Sequence, residues 1–230
     1  TDWETGDLAI RDLETGANRR LTNKGSWEKS EEFAMFSRWS PDGKQIAYDW
    51  YDAKCCTDLH VIAREGGKSQ TLVDYQNDEW MQTYDWSPDG KQILIFLEKK
   101  DGTRQIVLVS ATDGSTKVVK TFERSGRLPQ VMRFSRDGQC IAYAQPQEEN
   151  AAEHDIFLIS ADGSNEVPLV KHPADDRLLG WPPDGEGILF ASDRTGSLDL
   201  WFLPVSTGKA QGAPELVKRG VEEIAPLGFT

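Results

Sequence analysis

The sequence predicts an all-β fold, a β-propeller of four-stranded blades, on three observations. A turn motif recurs four times, its period is nearly constant, and the apolar runs have strand length with no useful helical period. The motif reads Trp39-Ser40-Pro41-Asp42-Gly43-Lys44, Trp86-Ser87-Pro88-Asp89-Gly90-Lys91, Phe134-Ser135-Arg136-Asp137-Gly138-Gln139 and Trp181-Pro182-Pro183-Asp184-Gly185-Glu186. Its glycines stand at 43, 90, 138 and 185, giving steps of 47, 48 and 47 residues. That period is too long for leucine-rich or ankyrin solenoids, and helical repeats lack this turn chemistry.

Each element of the repeat has a physical reading. In the turn, Pro41 and Pro88 fix φ early. Asp42, Asp89, Asp137 and Asp184 can bond the backbone ahead, and Gly43, Gly90, Gly138 and Gly185 supply the positive φ. A strand follows each turn, at Gln45-Ile46-Ala47-Tyr48, Gln92-Ile93-Leu94-Ile95-Phe96, Cys140-Ile141-Ala142-Tyr143 and Gly187-Ile188-Leu189-Phe190. After a loop comes a third strand, led by Leu59, Ile106, Ile156 and Leu200, closed by turns at Gly67, Gly114, Gly163 and Gly208. A short outer strand ends near Leu72, Val119, Leu169 or Leu216. The aromatics ahead of the turns, Trp39, Trp86, Phe134 and Trp181, are expected to wedge between blades as core.

The ends fit the same frame. Thr1-Asp2-Trp3 aligns with Tyr48-Asp49-Trp50, so the chain enters at the end of a second strand, and Leu227-Gly228-Phe229-Thr230 aligns with Ser37-Arg38-Trp39-Ser40. The reading is a single propeller domain over residues 1–230, with five blades, the last closed by N- and C-terminal strands. Its first residue reads as a cut inside a longer protein. A fragment of a six- or seven-bladed parent is the alternative.

Composition narrows the partners. Lys and Arg number 26 against 38 Asp and Glu, a net charge of −12, which makes nucleic acid and anionic membrane surfaces poor partners. The longest strongly apolar run, Ile93–Leu97, is far below the roughly 20 residues a membrane-inserted helix needs. Adjacent Cys55 and Cys56 and the distant Cys140 show no disulfide framework. No GxSxG, HExxH, GxGxxG, phosphate-binding GxxxxGK[ST] or EF-hand loop occurs, so no catalytic residue, cofactor or metal is predicted. His60 alternates with Leu59 and Val61 and reads as a strand residue. His154, between Glu153 and Asp155, and His172, ahead of Asp175 and Asp176, resemble minimal metal clusters, but neighbours on a strand point to opposite faces.

The stronger signal lies in the connections that enter each blade. They carry Glu31-Glu32, Asp78-Glu79, Asp175-Asp176 and Glu222-Glu223, while the remaining one offers Arg124 and Arg127. These ten residues are the candidate partner-binding set. In a propeller they surround one mouth of the central channel, and the acidic pairs suit a cation, a Lys/Arg-bearing peptide or a protein amine. Solvation of the surface is the alternative explanation. An acid or amide also recurs just before each third strand (Asp7, Asp58, Gln105, Asp155, Asp199) and reads as a loop cap.

The segments SPDGKQIAY (40–48), SPDGKQILIF (87–96) and ASDRTGSLDLW (191–201) resemble the TolB-type, WD-like propeller repeat of bacteria. Similar blades occur in the non-catalytic propellers of prolyl-oligopeptidase-like and tricorn peptidases. The resemblance covers essentially the whole chain, although Arg136 stands in place of Pro and Pro182 in place of Ser. It implies a non-enzymatic protein- or peptide-binding scaffold of extracytoplasmic location. Two other functions stay open. One is the gating propeller of a prolyl-oligopeptidase-like serine peptidase. The other is a lyase or hydrolase acting in the channel through the acidic pairs and His172.

Overall fold

The computed structural model describes residues 1–52, 56–74, 79–122, 129–146 and 151–221. Every regular element in it is a β-strand, and all pairing is antiparallel. Among the described residues no helix is long and apolar enough to cross a membrane. The chain forms two compact units, residues 1–124 and 125–230.

The first unit opens with a two-stranded hairpin, β1 (Ala9–Arg11) and β2 (Asn18–Arg20). Upstream, Asp2 bridges Asp7 in antiparallel fashion, as the end of a second strand should. Two four-stranded sheets follow, each in chain order. They are β3 (Phe33–Trp39), β4 (Gln45–Tyr51), β5 (Thr57–Ala63) and β6 (Gln70–Val73), then β7 (Trp80–Trp86), β8 (Gln92–Glu98), β9 (Arg104–Ser110) and β10 (Thr116–Phe122). The second unit has one four-stranded sheet, β11 (Met132–Phe134), β12 (Cys140–Pro146), β13 (His154–Ser160) and β14 (Glu166–Val170). Its other sheet contains β15 (Asp176–Gly180), β16 (Gly187–Ser192), β17 (Asp199–Ser206), β18 (Lys209–Ala210) and β19 (Glu215–Lys218). Here the expected single outer strand is split. β18 pairs the end of β17 and β19 its start, because Gly212 takes φ +127° and Pro214 has no N–H to offer the ladder.

Alternation along the strands explains how the β3–β6 sheet is buried on both faces. Ile46, Tyr48 and Ile62 join Leu8, Leu21 and Ala34 on one side of the β3–β6 sheet. Ala47, Leu59 and Val61 join Met81, Trp86, Ile93 and Val107 on the other. In the second unit Ala142, Ile156, Leu178, Trp181, Ile188 and Phe190 share one core.

The turn motif closes by its own side chains. Ser40 Oγ donates to Asp42 Oδ1 at 2.7 Å and accepts from Gln45 N at 2.9 Å, while Asp42 Oδ1 accepts from Lys44 N at 3.0 Å. The same clasp recurs at Ser87, Asp89 and Gln92 and at Ser135, Asp137 and Cys140. Behind the turns Trp86, Phe134 and Trp181 are buried, and the indoles donate to the carbonyls of Arg38 (3.1 Å) and Arg133 (3.4 Å) on the neighbouring first strand. Trp39 departs from the predicted core role and is 47% exposed. The sheet on its side is the β1–β2 hairpin, which among the described residues has no first strand to supply the carbonyl.

The ladder also breaks at a repeated place. Register shifts fall between Met35 and Arg38, Thr83 and Asp85, and Leu178 and Gly180, on first strands aligned by the repeat. Such bulges bend and twist a strand. At the first of them Phe36 takes φ +46°, a conformation rare for a bulky side chain. In the next sheet the aligned residue, Thr83, stays in the ladder and donates through N and Oγ1 to the buried carboxyl of Asp49.

Candidate functional site

Three of the five recurring polar residues at the third strands, Asp7, Asp155 and Asp199, anchor the connection into the following blade. Asp7 is buried, and its Oδ1 accepts from Thr22 Oγ1 at 2.8 Å and from Lys24 N at 2.9 Å. Asp155 Oδ1 accepts from His172 N at 3.4 Å, and Asp199 Oδ1 from Gly220 N at 2.8 Å. A carboxylate held inside the sheet thus fixes backbone donors that lie 17 to 21 residues ahead. Gln105 reaches Thr121 Oγ1 instead, at 3.1 Å. The loop-cap reading of these acids has this geometry behind it.

In the first unit the anchored connection runs over residues 21–32 and ends in Glu31, exposed, and Glu32, half-buried. Ser30 steadies it: its Oγ accepts from Glu32 N at 3.2 Å, and its carbonyl accepts from Lys24 Nζ at 2.7 Å. Glu79, half-buried, stands just ahead of β7. None of these three carboxylates has an ion-pair partner among the described residues.

The second unit treats its acidic pair differently. The sequence leads one to expect surface carboxylates at Asp175 and Asp176, yet Asp175 is 8% exposed and Asp176 fully buried. Asp175 Oδ1 accepts from His154 Nδ1 at 2.7 Å and from His154 N at 3.1 Å, and its Oδ2 accepts from Arg177 Nε at 2.6 Å. Burial pushes the Asp175 carboxyl up, but the bonds from Arg177 and His154 together hold it below the ordinary carboxylate range. Asp176 Oδ1 accepts from Arg194 at 2.7 Å. Its burial outweighs Ser192 and Arg194 and leaves its pKa raised. Arg194 also lies over the rings of Phe190 and Trp201, at 5.0 and 5.1 Å.

These partners, Arg177 and Arg194, escaped the sequence reading. Arg177 had a signal, since positions i and i+2 of a strand share a face and Asp175 sits two residues before it. Arg194 had none, because its contact with Asp176 spans 18 residues across the β15–β16 pair. His154 Nε2 and Asp176 Oδ2 are buried without a hydrogen-bond partner among the described residues. No group of three or more His, Cys, Asp or Glu side chains that could hold a metal converges there or elsewhere among the described residues. Asp78, Arg124, Arg127, Glu222 and Glu223 lie outside the described residues. Cys140 carries a free thiol.

The chain is similar to solved propeller structures. The protein described as TolB of Agrobacterium tumefaciens shares 22% identity, with a TM-score of 0.59 over 88% of this chain and 67% of that one. An oligogalacturonate lyase of Vibrio parahaemolyticus shares 14%, with a TM-score of 0.64 over 87% of this chain and 55% of that one. Two prolyl endopeptidases analysed together give 17% identity and a TM-score of 0.68 over 95% of this chain and 33% of theirs. The chain therefore spans about two thirds of the first protein, half of the second and a third of the endopeptidases. No curated protein sequence matches it. The family model described as TolB beta propeller domain matches residues 56–215, well over half of the sequence, and the chain belongs to that family.

Proposed function

We propose that this propeller is a non-enzymatic scaffold that binds a protein or peptide bearing Lys or Arg, through the connections entering its blades. The observation that carries this reading is the trio Glu31, Glu32 and Glu79, uncompensated among the described residues, at the same point of successive repeats. Carboxylates without internal partners attract and orient a cationic ligand, chiefly by raising its association rate. Asp175 and Asp176 act as framework, because Arg177 and Arg194 already pair with them. Five sheets among the described residues support a five-bladed propeller, four full and one a hairpin. The strands that would close it include residues 224–229, outside the described set.

The test is binding of a synthetic Lys/Arg-rich peptide to the wild type and to the Glu31→Lys/Glu32→Lys/Glu79→Lys variant. The expected result is at least a tenfold loss of affinity; unchanged binding removes the acidic connections from the proposal. A second reading is a gating propeller of a serine peptidase, favoured by the likeness to the prolyl endopeptidases across 95% of this chain. A GxSxG segment with later Asp and His in the flanking gene sequence supports it, and a flank without them counts against it.

A further inference from the structure

Each outer strand carries a bulge, and the bulges recur at one place in the sheets. Against β5, Leu72 of β6 stands outside the ladder, between Thr71 opposite His60 and Val73 opposite Leu59. Against β9, Val119 of β10 stands outside it, between Val118 and Lys120. Leu169 of β14 and Val217 of β19 are left out in the same way. Among the described residues these outer strands pair on one side only, so the other edge offers N–H and C=O groups to any extended chain. A bulge breaks the spacing of such groups and twists the edge away.

The sequence of β10 says which chain is kept away. This strand has seven residues, against four in β6, five in β14 and four in β19, and it lacks a proline such as Pro168, which blunts β14. Its stretch Thr116-Lys117-Val118-Val119-Lys120-Thr121 reads the same in both directions. A second copy laid antiparallel about the two valines therefore meets threonine with threonine and valine with valine, the self-complementarity a two-fold interface needs. Val118 is 48% exposed and gives that pairing apolar surface to bury. The same pairing sets Lys117 opposite Lys120 of the second copy, where like charges repel. We infer that β10 is a latent self-pairing edge for a second copy of this chain, kept single by the bulge at Val118–Val119 and by the lysines on either side.

The experiment is sedimentation of the full chain over a range of concentrations, with hydrogen exchange read at the amides of residues 116–122. Deletion of Val118 removes the bulge and leaves the buried Val119 to face Val107. Adding Lys120→Glu to that deletion sets an opposite charge against each Lys117. The deletion variant is expected to shift toward twice the mass as concentration rises, and the combined variant to associate about tenfold more tightly still. In the associated state the β10 amides should exchange about tenfold more slowly or better, while those of wild type should not change with concentration. A folded combined variant that keeps one mass throughout overturns the proposal. Association that leaves the β10 amides unprotected overturns it too, as does wild type that already pairs through β10. If the deletion unfolds the chain by circular dichroism, Lys117→Thr/Lys120→Thr in the intact strand carries the test: it is expected to associate where wild type does not, and a single mass overturns the proposal.

Discussion

The carboxyl of Asp49 is fully buried on β4 and accepts from the N–H and hydroxyl of Thr83 on β7. Burial outweighs those bonds and the nearby Arg38, so its pKa is raised well above the ordinary carboxylate value. The folded state then holds this proton more tightly than the unfolded chain. Its stabilising effect is complete below the unfolded pKa, near 3.9, and declines as pH rises toward the raised folded value. Asp49→Asn, which keeps an acceptor for Thr83, is expected to remove that decline, so thermal midpoints measured from pH 4 to 8 should fall less than in wild type. Asp175 has the opposite sign: its lowered folded pKa gives stability above the ordinary carboxylate range that is lost as pH falls through the lowered value. Arg194→Ala leaves Asp176 buried without its cation, and about 3–5 kcal/mol of stability should be lost in urea titrations at pH 7. The loss should shrink toward pH 4, because the raised pKa of Asp176 lets it take up a proton instead. The Asp49–Thr83 and Asp176–Arg194 pairings were not legible in the sequence. Burial and cross-strand neighbours decide them, and residues such as Asp49 and Thr83 lie 34 positions apart.

At the scale of elements, glycines that look alike in the repeat differ in what surrounds them. Gly43 has φ +67° and open space where a Cβ would stand, whereas at Gly114, φ +73°, a Cβ would lie 2.1 Å from the Leu72 carbonyl oxygen on β6. Gly43→Ala should therefore cost only the left-handed backbone term, about 1–2 kcal/mol. Gly114→Ala must also displace a strand and should cost about 3 kcal/mol or more by the same denaturation assay. The turns and the order of strands could be read directly, because their chemistry is local: Ser40, Asp42 and Gly43 interact within five residues. The bulge that turns Phe36 to positive φ, the split outer strand β18–β19 and the exposure of Trp39 could not. The first and last depend on what a neighbouring sheet supplies or withholds, as when Thr83 finds Asp49 and Phe36 leaves the ladder, whereas the split strand follows from Gly212 and Pro214.

For the molecule as a whole, the net charge of −12 would set how the basic partner proposed above is met. Screening shortens the reach of exposed charges from about 14 Å at 0.05 M salt to about 4 Å at 0.5 M. Affinity for the Lys/Arg-rich peptide should fall across that range, with the loss mostly in the association rate measured by stopped flow. A salt-independent rate would point to contacts outside the acidic connections. Each four-stranded sheet is cut from one continuous stretch, such as residues 33–73 or 132–170. The fourth turn shows what this permits. Pro182 stands where the other copies place the clasping serine, yet Gly185 N still reaches the Pro182 carbonyl at 2.9 Å and Glu186 N still reaches Asp184 at 3.1 Å. Errors in one copy are thus absorbed within that copy. Selection can rewrite the loops of a single blade without consulting the rest, and new specificities can enter this scaffold one repeat at a time.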